Sequence, residues 1–420
     1  MPQPNQPVTA IIAGAGGRGR TYATFALENP DRLKIVGVSE PKEWNRTKMV
    51  EEHGIPANAV FTTWEDQVAQ PKMADMVIIS TQDAMHADPA VAFAKKGYAI
   101  LLEKPMAPTL AECERIIRAV KENNTLFGVC HVMRYTSYTQ ALKKLLDEGA
   151  VGEIVTIQHL EPVGFWHQAH SFVRGNWRNT DESSFMLLAK SCHDLDWLRY
   201  IAGAKCRAVS SFGALKHFKK SEKPAAAGAA LRCTACAYEP ECPYSAKLIY
   251  LQQVESGYTG WPISVLTPEP TVESISAALE DGPYGRCVYE CDNDVVDHQV
   301  VNLMFDEDRS AVFTMTAFNI GGQRKTRIFG TRGEIYGDGE VIEISDFLTR
   351  EKRVVDTRID DGTALSGHGG GDFGLIDRFV AAVASGDASL ILSGPDESLE
   401  THQMVFASEQ ARLEHRVVDL

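Results

Sequence analysis

No stretch of this 420-residue chain approaches the ~20 consecutive apolar residues that a membrane-spanning helix needs. Nor does the N-terminus pair a basic segment with a short apolar core, so no secretory signal is read there. Long low-complexity runs, the mark of disordered chains, are missing as well. Positive charge is in short supply: 42 Lys and Arg stand against 56 Asp and Glu, a formal net charge of −14. That balance excludes nucleic acid as a generic partner, because such binding rests on cationic side chains neutralising phosphates. Nine cysteines, an odd number without secretory context, make a disulfide framework a poor default. The expectation is a soluble, cytoplasmic protein with no membrane partner, long enough for two domains.

What is present changes character along the chain. Short apolar runs at Val8–Ala13, Leu33–Val38, Met76–Ser80, Ala99–Leu102 and Leu126–Cys130 suit buried parallel strands. Helical patterns separate them, the clearest after Pro108, where Thr109 and Glu112 form a capping box ahead of Cys113, Ile116, Ile117 and Val120. From Val151 onward, strands at Ile154–Glu161, Arg207–Ala214, Val296–Phe305, Ala311–Phe318, Arg324–Phe329 and Val341–Phe347 are joined by turn signals such as Gly330–Gly333. One long helix, about Ser184 to Ala202, interrupts them. A Gly-rich loop, Gly367–Gly371, leads into a final helix ending near Ala384. The fold class expected is a doubly wound α/β (Rossmann) domain, residues 1–130. An α+β domain with a large, open, mainly antiparallel sheet and C-terminal helices follows, residues 131–420.

Gly14, Gly16 and Gly19 make a G-x-G-x-x-G directly after the first strand, with Gly17 and Arg18 inside it. Glycines there let the backbone turn sharply and approach a pyrophosphate, which a helix N-terminus stabilises through free N–H groups and its dipole. The next strand ends at Glu40, about 20 residues past the last glycine, where a carboxylate can accept both ribose hydroxyls. It would repel a 2′-phosphate, so the expected cofactor is NAD. Arg18, if it lay near the ribose, would tolerate the phosphate.

Glu103–Lys104–Pro105 follows the fifth strand, at the strand end where doubly wound folds place ligands. Thr81 and His86 follow the fourth strand. Gly149–Gly152 lies near the junction, His193 within a helix, and Gly370–Gly371–Asp372 before the last helix. Together with the glycine motif, these elements resemble the Gfo/Idh/MocA oxidoreductases over most of the chain. The resemblance implies that Lys104 lies beside the nicotinamide and the reacting hydroxyl, oriented by Glu103, with Thr81 and His86 near the cofactor. It also implies a homo-oligomer, dimer or tetramer, formed through the open sheet face. Removing hydride from a carbinol requires a base within reach of the hydroxyl proton.

The family's second motif runs Asp-x-x-x-His, but four residues before His193 stands Ala189, with Lys190 beside it. Lys190 and His193 share one helix face by spacing. The reading is that His193 still contacts the hydroxyl while Lys190 enters the site, making it more cationic. His170, Arg174, Trp177 and Arg178, in an aromatic-rich stretch that also holds His167, form a candidate recognition loop for an anionic sugar. Aromatic faces stack on sugar rings and arginine forks grip anions. His131, Arg134 and Tyr135, just past the junction, join the candidate substrate contacts.

Cys233, Cys236 and Cys242 lie in an insertion between strands, at a spacing that can share a tetrahedral metal. Cys287 or Cys291 would complete four ligands for a structural zinc; free buried thiols are the alternative. Function stays open among three readings. A dehydrogenase would oxidise a ring hydroxyl, at C3, of a sugar or glycoside. A glycosidase would use NAD catalytically, on anionic glycosides such as sulfoquinovosides. A non-catalytic NAD-binding regulator suits the fold but not the retained Lys104 and His193.

Overall fold

The computed structural model describes residues 6–358 and 369–420. In its first sheet, β1 (Val8–Ala13), β2 (Leu33–Ser39), β3 (Val60–Phe61), β4 (Met76–Ile79), β5 (Ala99–Leu102) and β6 (Phe127–Val129) run parallel in the order β3-β2-β1-β4-β5-β6. Helices α1 (Gly17–Glu28), α2 (Glu43–His53), α3 (Trp64–Ala69), α4 (Ala87–Lys95) and α5 (Leu110–Glu122) cover both faces. Coverage on both sides is why β4 and β5, buried at every residue, read as unbroken apolar runs. The Thr109 side chain caps α5 by accepting from the Glu112 N–H, and Cys113, Ile116, Ile117 and Val120 form its buried stripe. Strand β3 is two residues long, too short to carry a periodic signal. The strand order reverses between β1 and β4, which sets the ligand crevice at the C-terminal ends of these strands.

The second sheet has nine strands: β7 (Ile154–Pro162), β8 (Cys206–Ala214), β9 (His298–Phe305), β10 (Ser310–Thr316), β11 (Lys325–Gly330), β12 (Gly333–Gly337), β13 (Val341–Asp346), β14 (Lys352–Asp356) and β15 (Val418–Asp419). Their order is β14-β13-β12-β11-β7-β10-β9-β8-β15, antiparallel throughout except for the β7–β10 pair. Alternation in β10 behaves as its sequence implies: Ala311, Phe313 and Met315 are buried while Val312, Thr314 and Thr316 face the other way. On that other face Phe212, Met304, Tyr336 and Val354 stand exposed.

Helices α6 (Ser137–Asp147), α7 (Phe165–His167, continuing as a π-turn to Arg174), α8 (Met186–Ala189) and α9 (Cys192–Ala202) precede β8. The single helix expected over residues 184–202 is therefore two, broken at Lys190–Ser191. Between β8 and β9 lie α10 (Gln252–Glu255), α11 (Val272–Asp281) and several short turns, a lobe with its own small core built on Phe218, Tyr244, Tyr250 and Leu279. Gly333, read as a turn residue, opens β12 instead. Gly367 lies outside the described residues, and Gly370 leads into α12 (Gly371–Ser385). That helix is not the last: α13 (Pro395–Glu414) follows it. The buried side of α13 includes Ser398, Thr401, His402 and Ser408, so its apolar periodicity is weak and the sequence hides it. Helix α12 sends Leu375, Ile376, Phe379 and Val380 into the core beneath β1, bringing the C-terminal segment back onto the first sheet.

Candidate active site

The glycine loop after β1 divides into two kinds of glycine. A Cβ on Gly14 (φ +92°) would sit 2.6 Å from the Ser80 carbonyl, and one on Gly19 would sit 2.1 Å from the Gly14 carbonyl. These two let strand, loop and helix close on each other. Gly16 and Gly17 have nothing within 4 Å of where a Cβ would be, so they border open space at the start of α1. No side chain caps α1 and no acid stands in its first turn. The free N–H groups and positive dipole end therefore face open space, an arrangement that fits a dinucleotide's pyrophosphate. Glu40 lies beside this cradle, buried, with Oε2 accepting from the Ala15 N–H at 2.8 Å and Oε1 from the Lys42 N–H at 2.9 Å.

Arg18 does not lie by a ribose position. Its Nε donates to Glu103 Oε1 at 2.6 Å and its Nη2 reaches Asp372 Oδ1 at 2.5 Å, tying α1 to the end of β5 and to α12. Thr81 donates to the Met85 carbonyl, and the buried His86 ring lies between the carbonyls of Pro105 (2.8 Å) and Thr81 (3.2 Å). His86 thus joins the loops after β4 and β5.

Glu103 accepts from Arg18, from the Tyr22 hydroxyl at 2.7 Å, and from the Lys104 N–H at 2.7 Å. Burial opposes its charge, but Arg18 and Lys104 outweigh that and hold the carboxyl below its usual range. Lys104 is half-buried, and its Nζ donates to the Ala189 carbonyl at 2.8 Å. Position 189, where the family pattern has an acid, thus meets the lysine through its backbone.

The break after Ala189 turns Lys190 onto β7, where its Nζ pairs with Glu161 Oε1 at 3.1 Å. Arg324, just before β11, reaches Glu161 Oε2 at 2.7 Å and Asp194 Oδ1 at 2.9 Å. His159 closes the chain with Nε2 3.2 Å from Asp194. Asp194 is fully buried, which penalises its charge, yet Arg324 and then His159 hold the carboxyl far below its ordinary range. His167, at the end of α7, is pushed well below a normal imidazole by burial and by Lys190, His170, Lys104 and Arg324 around it. His193, in the first turn of α9, meets the His131 ring edge-on at 5.9 Å. The structure thus gathers Lys104, Lys190, His167 and Arg324 about Glu161 and Asp194, with His193 in the first turn of α9 against His131.

Glu161, Arg324 and Asp194 do not stand out in the sequence. They lie in or next to three separate elements; the pairing of β7 with β11 brings Glu161 and Arg324 together, and the packing of α9 brings Asp194. The one available signal is charge inside otherwise apolar strand and helix patterns.

Most of the expected substrate contacts lie elsewhere. Arg134 forms a bidentate pair with Asp196, both bonds 2.7 Å, and is buried. The Tyr135 hydroxyl lies 2.9 Å from Ser393 Oγ, also in the interior. His131 is fully buried between His193 and His402, and burial lowers it to about 3. His170 stacks on Tyr284 and faces the Tyr250 hydroxyl at 2.9 Å. Arg174 is buried against the carbonyls of Arg286 and Tyr244 and the Cys233 sulfur. Arg178 pairs with Asp292 and Glu182 near the surface. Trp177, with His167, stays on the crevice side, donating to Asp83 Oδ2 at 3.2 Å in the loop after β4. The stretch expected to be one recognition loop is instead a π-turn whose far end is an internal brace.

The tetrahedral zinc geometry expected of the cysteines is also absent: among the described residues no three His, Cys, Asp or Glu side chains form a group able to hold one ion. Cys233, Cys236, Cys242 and Cys287 line a cavity instead, and Cys291 turns away to the Cys287 carbonyl.

A six-stranded parallel sheet with a glycine cradle, facing a nine-stranded sheet that carries a charged pocket, defines a two-domain oxidoreductase with an NAD-binding Rossmann domain. Residues 8–131 match the family described as "Oxidoreductase family, NAD-binding Rossmann fold" and residues 143–418 the "Oxidoreductase family, C-terminal alpha/beta domain". The chain belongs to the Gfo/Idh/MocA oxidoreductase family. It is similar to 2,7-anhydro-N-acetylneuraminate hydratase of Escherichia coli, 27% identical over 202 residues, 48% of this chain and 51% of that one. It is also similar to scyllo-inositol 2-dehydrogenase (NAD+) of Bacillus subtilis, 25% identical over 213 residues, 49% and 57% of the two chains. The match thus spans about half the length of these curated relatives. Levoglucosan dehydrogenase, solved with NADH and levoglucosan, has the same fold, with a TM-score of 0.69 at 18% identity and 99% of each chain covered. No described helix is long and apolar enough to cross a membrane.

Proposed function

We propose that this protein transfers hydride between NAD and a ring hydroxyl of a sugar or glycoside, at C3, with an anionic group on the substrate favoured. The observation that carries the reading is Lys104, at the end of β5 in the ligand crevice, held against the α8–α9 break beside Lys190 and Arg324. NAD, when bound, would supply the hydride acceptor; Gly16 and Gly17, in the turn closed by Gly14 and Gly19, would hold its pyrophosphate and Glu40 its ribose. In the oxidation direction Lys104 Nζ takes the hydroxyl proton as the C–H bond gives up its electron pair, leaving a ketone. His193 donates a hydrogen bond to the same oxygen and fixes the carbinol. Glu103 orients the lysine backbone rather than its amine, since it accepts from the Lys104 N–H.

Lys190 is engaged by Glu161, whereas Lys104, among the described residues, donates to a carbonyl, so the base role goes to Lys104 and the charge of Lys190 and Arg324 to substrate recognition. Trp177 and His167 border the same crevice. The exposed apolar side chains on the outer face of the nine-stranded sheet suit a homo-oligomer contact.

A second reading has one specific support. A relative is named for hydrating 2,7-anhydro-N-acetylneuraminate, an acidic sugar derivative, which matches a cationic pocket. Oxidation next to a C–H bond acidifies it, so a transient ketone would permit elimination, water addition and re-reduction without net NADH. The deciding experiment incubates the protein with NAD and a panel of inositols, sugar acids and aryl glycosides, reading NADH absorbance and aglycone release together. NADH alone supports the dehydrogenase, aglycone without NADH the recycling reaction. Neither signal across acidic and neutral substrates would overturn both.

A further inference from the structure

Trp261 belongs to the lobe between β8 and β9, yet its ring lies against side chains of the crevice. Its centroid is 5.0 Å from that of His167, 5.3 Å from His170 and 5.5 Å from Trp166. Trp166 and His167 stack on each other at 5.6 Å. His167 is the link to the chemistry, because Lys104, Lys190 and Arg324 stand close enough to act on its charge. A second link runs through backbone. A Cβ on Gly164 (φ +91°) would sit 3.2 Å from the Gly321 Cα and 3.5 Å from Trp166 Nε1, so Trp166 rests on the loop that reaches Arg324 three residues later.

With three rings against it, Trp261 is still 44% exposed, and it takes no part in the lobe's own core. The Tyr258 hydroxyl donates to its carbonyl at 2.9 Å and fixes the backbone beneath it. An indole held in place but left open to water forgoes the gain of burial, and a ring already ordered costs a ligand little to stack on.

We propose that Trp261, with Trp166 and His167, forms a second ring subsite, where a ring joined by a glycosidic bond to the reacting sugar stacks. The inference rests on the hydride-transfer reading above and narrows its substrate to two-ring glycosides. Charge divides the two rings. Lys190 and Arg324 make the inner pocket cationic, so the anionic group belongs to the reacting ring. Burial and the surrounding cations keep His167 neutral. The three platform rings are then all uncharged and suit a neutral ring, whose C–H edges the electron-rich indole face attracts. A pyranose and an aryl group share that chemistry.

The test is calorimetric titration of full-length protein with NADH bound. The probes are a free sugar acid, its phenyl glycoside and its glucose-linked disaccharide, in the gluco and galacto series. In one series the two-ring compounds should bind about tenfold more tightly than the free acid. A gain for both identifies any ring as the occupant; a gain for the disaccharide alone identifies a pyranose. Trp261→Leu, which keeps an apolar side chain but no aromatic face, should abolish the gain while the free acid stays within about twofold, and Trp261→Phe should keep most of it. No gain from a second ring in either series overturns the subsite, as does a Trp261→Leu loss equal for one-ring and two-ring compounds. Hydride transfer is read separately. Oxidation of free sugar acids without any two-ring gain refutes the subsite alone, and a Trp261-dependent gain with neither NADH nor aglycone formed refutes the reaction alone.

Discussion

The cofactor end and the substrate end of the crevice are built on different physics. Around the glycine loop the work is done by backbone: free N–H groups, a dipole and close approach, with the Glu40 carboxylate beside them. Beneath the reacting position it is done by interlocked side chains, Lys190–Glu161–Arg324–Asp194–His159, drawn from three stretches of the chain. A backbone site tolerates sequence change almost anywhere except at its glycines. A side-chain network ties each member to the rest, so changing one shifts charge on all of them. The two ends should therefore fail differently.

The largest effect belongs to Lys104. A positioned acid–base group is worth ~10²–10⁴ in rate, so Lys104→Ala should lower kcat by that factor while NAD affinity stays within a few-fold, because the cradle and Glu40 hold the distant end. Single-turnover hydride transfer separates chemistry from product release. Near-normal transfer in Lys104→Ala, with Lys190→Ala crippled instead, would move the base to Lys190.

Next comes stability beneath the site. Arg134→Leu removes both hydrogen bonds from the buried Asp196 carboxylate, keeping only Thr401 at 3.0 Å. Leaving such a charge unpaired costs ~3–5 kcal/mol, to be read from denaturant midpoints. A mild loss of stability with a large rise in KM would restore Arg134 to substrate binding.

His402 gives the substrate end a pH sensitivity that the glycine cradle lacks. Its Nδ1–H donates to the Ser398 carbonyl at 2.7 Å and its Nε2 accepts from the Met106 N–H at 2.9 Å, an arrangement open only to the neutral ring. Burial lowers it to about 4. Below pH ~6.5 the unfolded chain takes up the proton and the folded one does not, so stability present above that pH is lost as pH falls toward 4. By pH ~5 the loss is ~2 kcal/mol from this residue. Thermal melts of His402→Gln should show a shallower decline over that window; an unchanged slope would remove His402 as a cause.

The two ends also differ in how far they can be read without coordinates. The glycine spacing, Glu40 and the strand-end Lys104 are local patterns, each legible because one short segment holds the whole feature. The pocket is not local. Lys190 is legible as a substitution beside the missing acid, but its partner Glu161 lies in β7 and Arg324 beside β11, and only strand register joins them. Arg174 misleads for the same reason. A basic residue in an aromatic stretch looks like an anion grip until the fold turns it inward against Cys233. His167, seven positions earlier on the same turn, lies at the crevice.

Lys190 tests the charged pocket with a smaller effect. Lys190→Met should raise KM for acidic substrates by about tenfold, ~1.4 kcal/mol, and leave neutral analogues nearly unchanged. Equal losses for both classes would show that the cation shapes the pocket without reading substrate charge.

A change of similar size is expected at the cofactor end, and it concerns selectivity. Both Glu40 oxygens already accept one backbone N–H, from Ala15 and Lys42, which fixes the carboxylate beside the cradle. An ionised carboxylate has about four acceptor sites, so capacity for the ribose hydroxyls remains. A 2′-phosphate would meet that charge, and the two nearby arginines are already engaged. Arg18 is spent on Glu103 and Asp372, and Arg46 on the carbonyls of Glu40 and Pro41. NAD should therefore bind more tightly than NADP by fluorescence titration, and Glu40→Ser should narrow the gap by roughly tenfold through gained NADP affinity. Equal affinities in the unaltered protein would end the assignment. A Glu40→Ser variant that loses NAD binding without gaining NADP would show that the carboxylate's main task is holding the Ala15 turn.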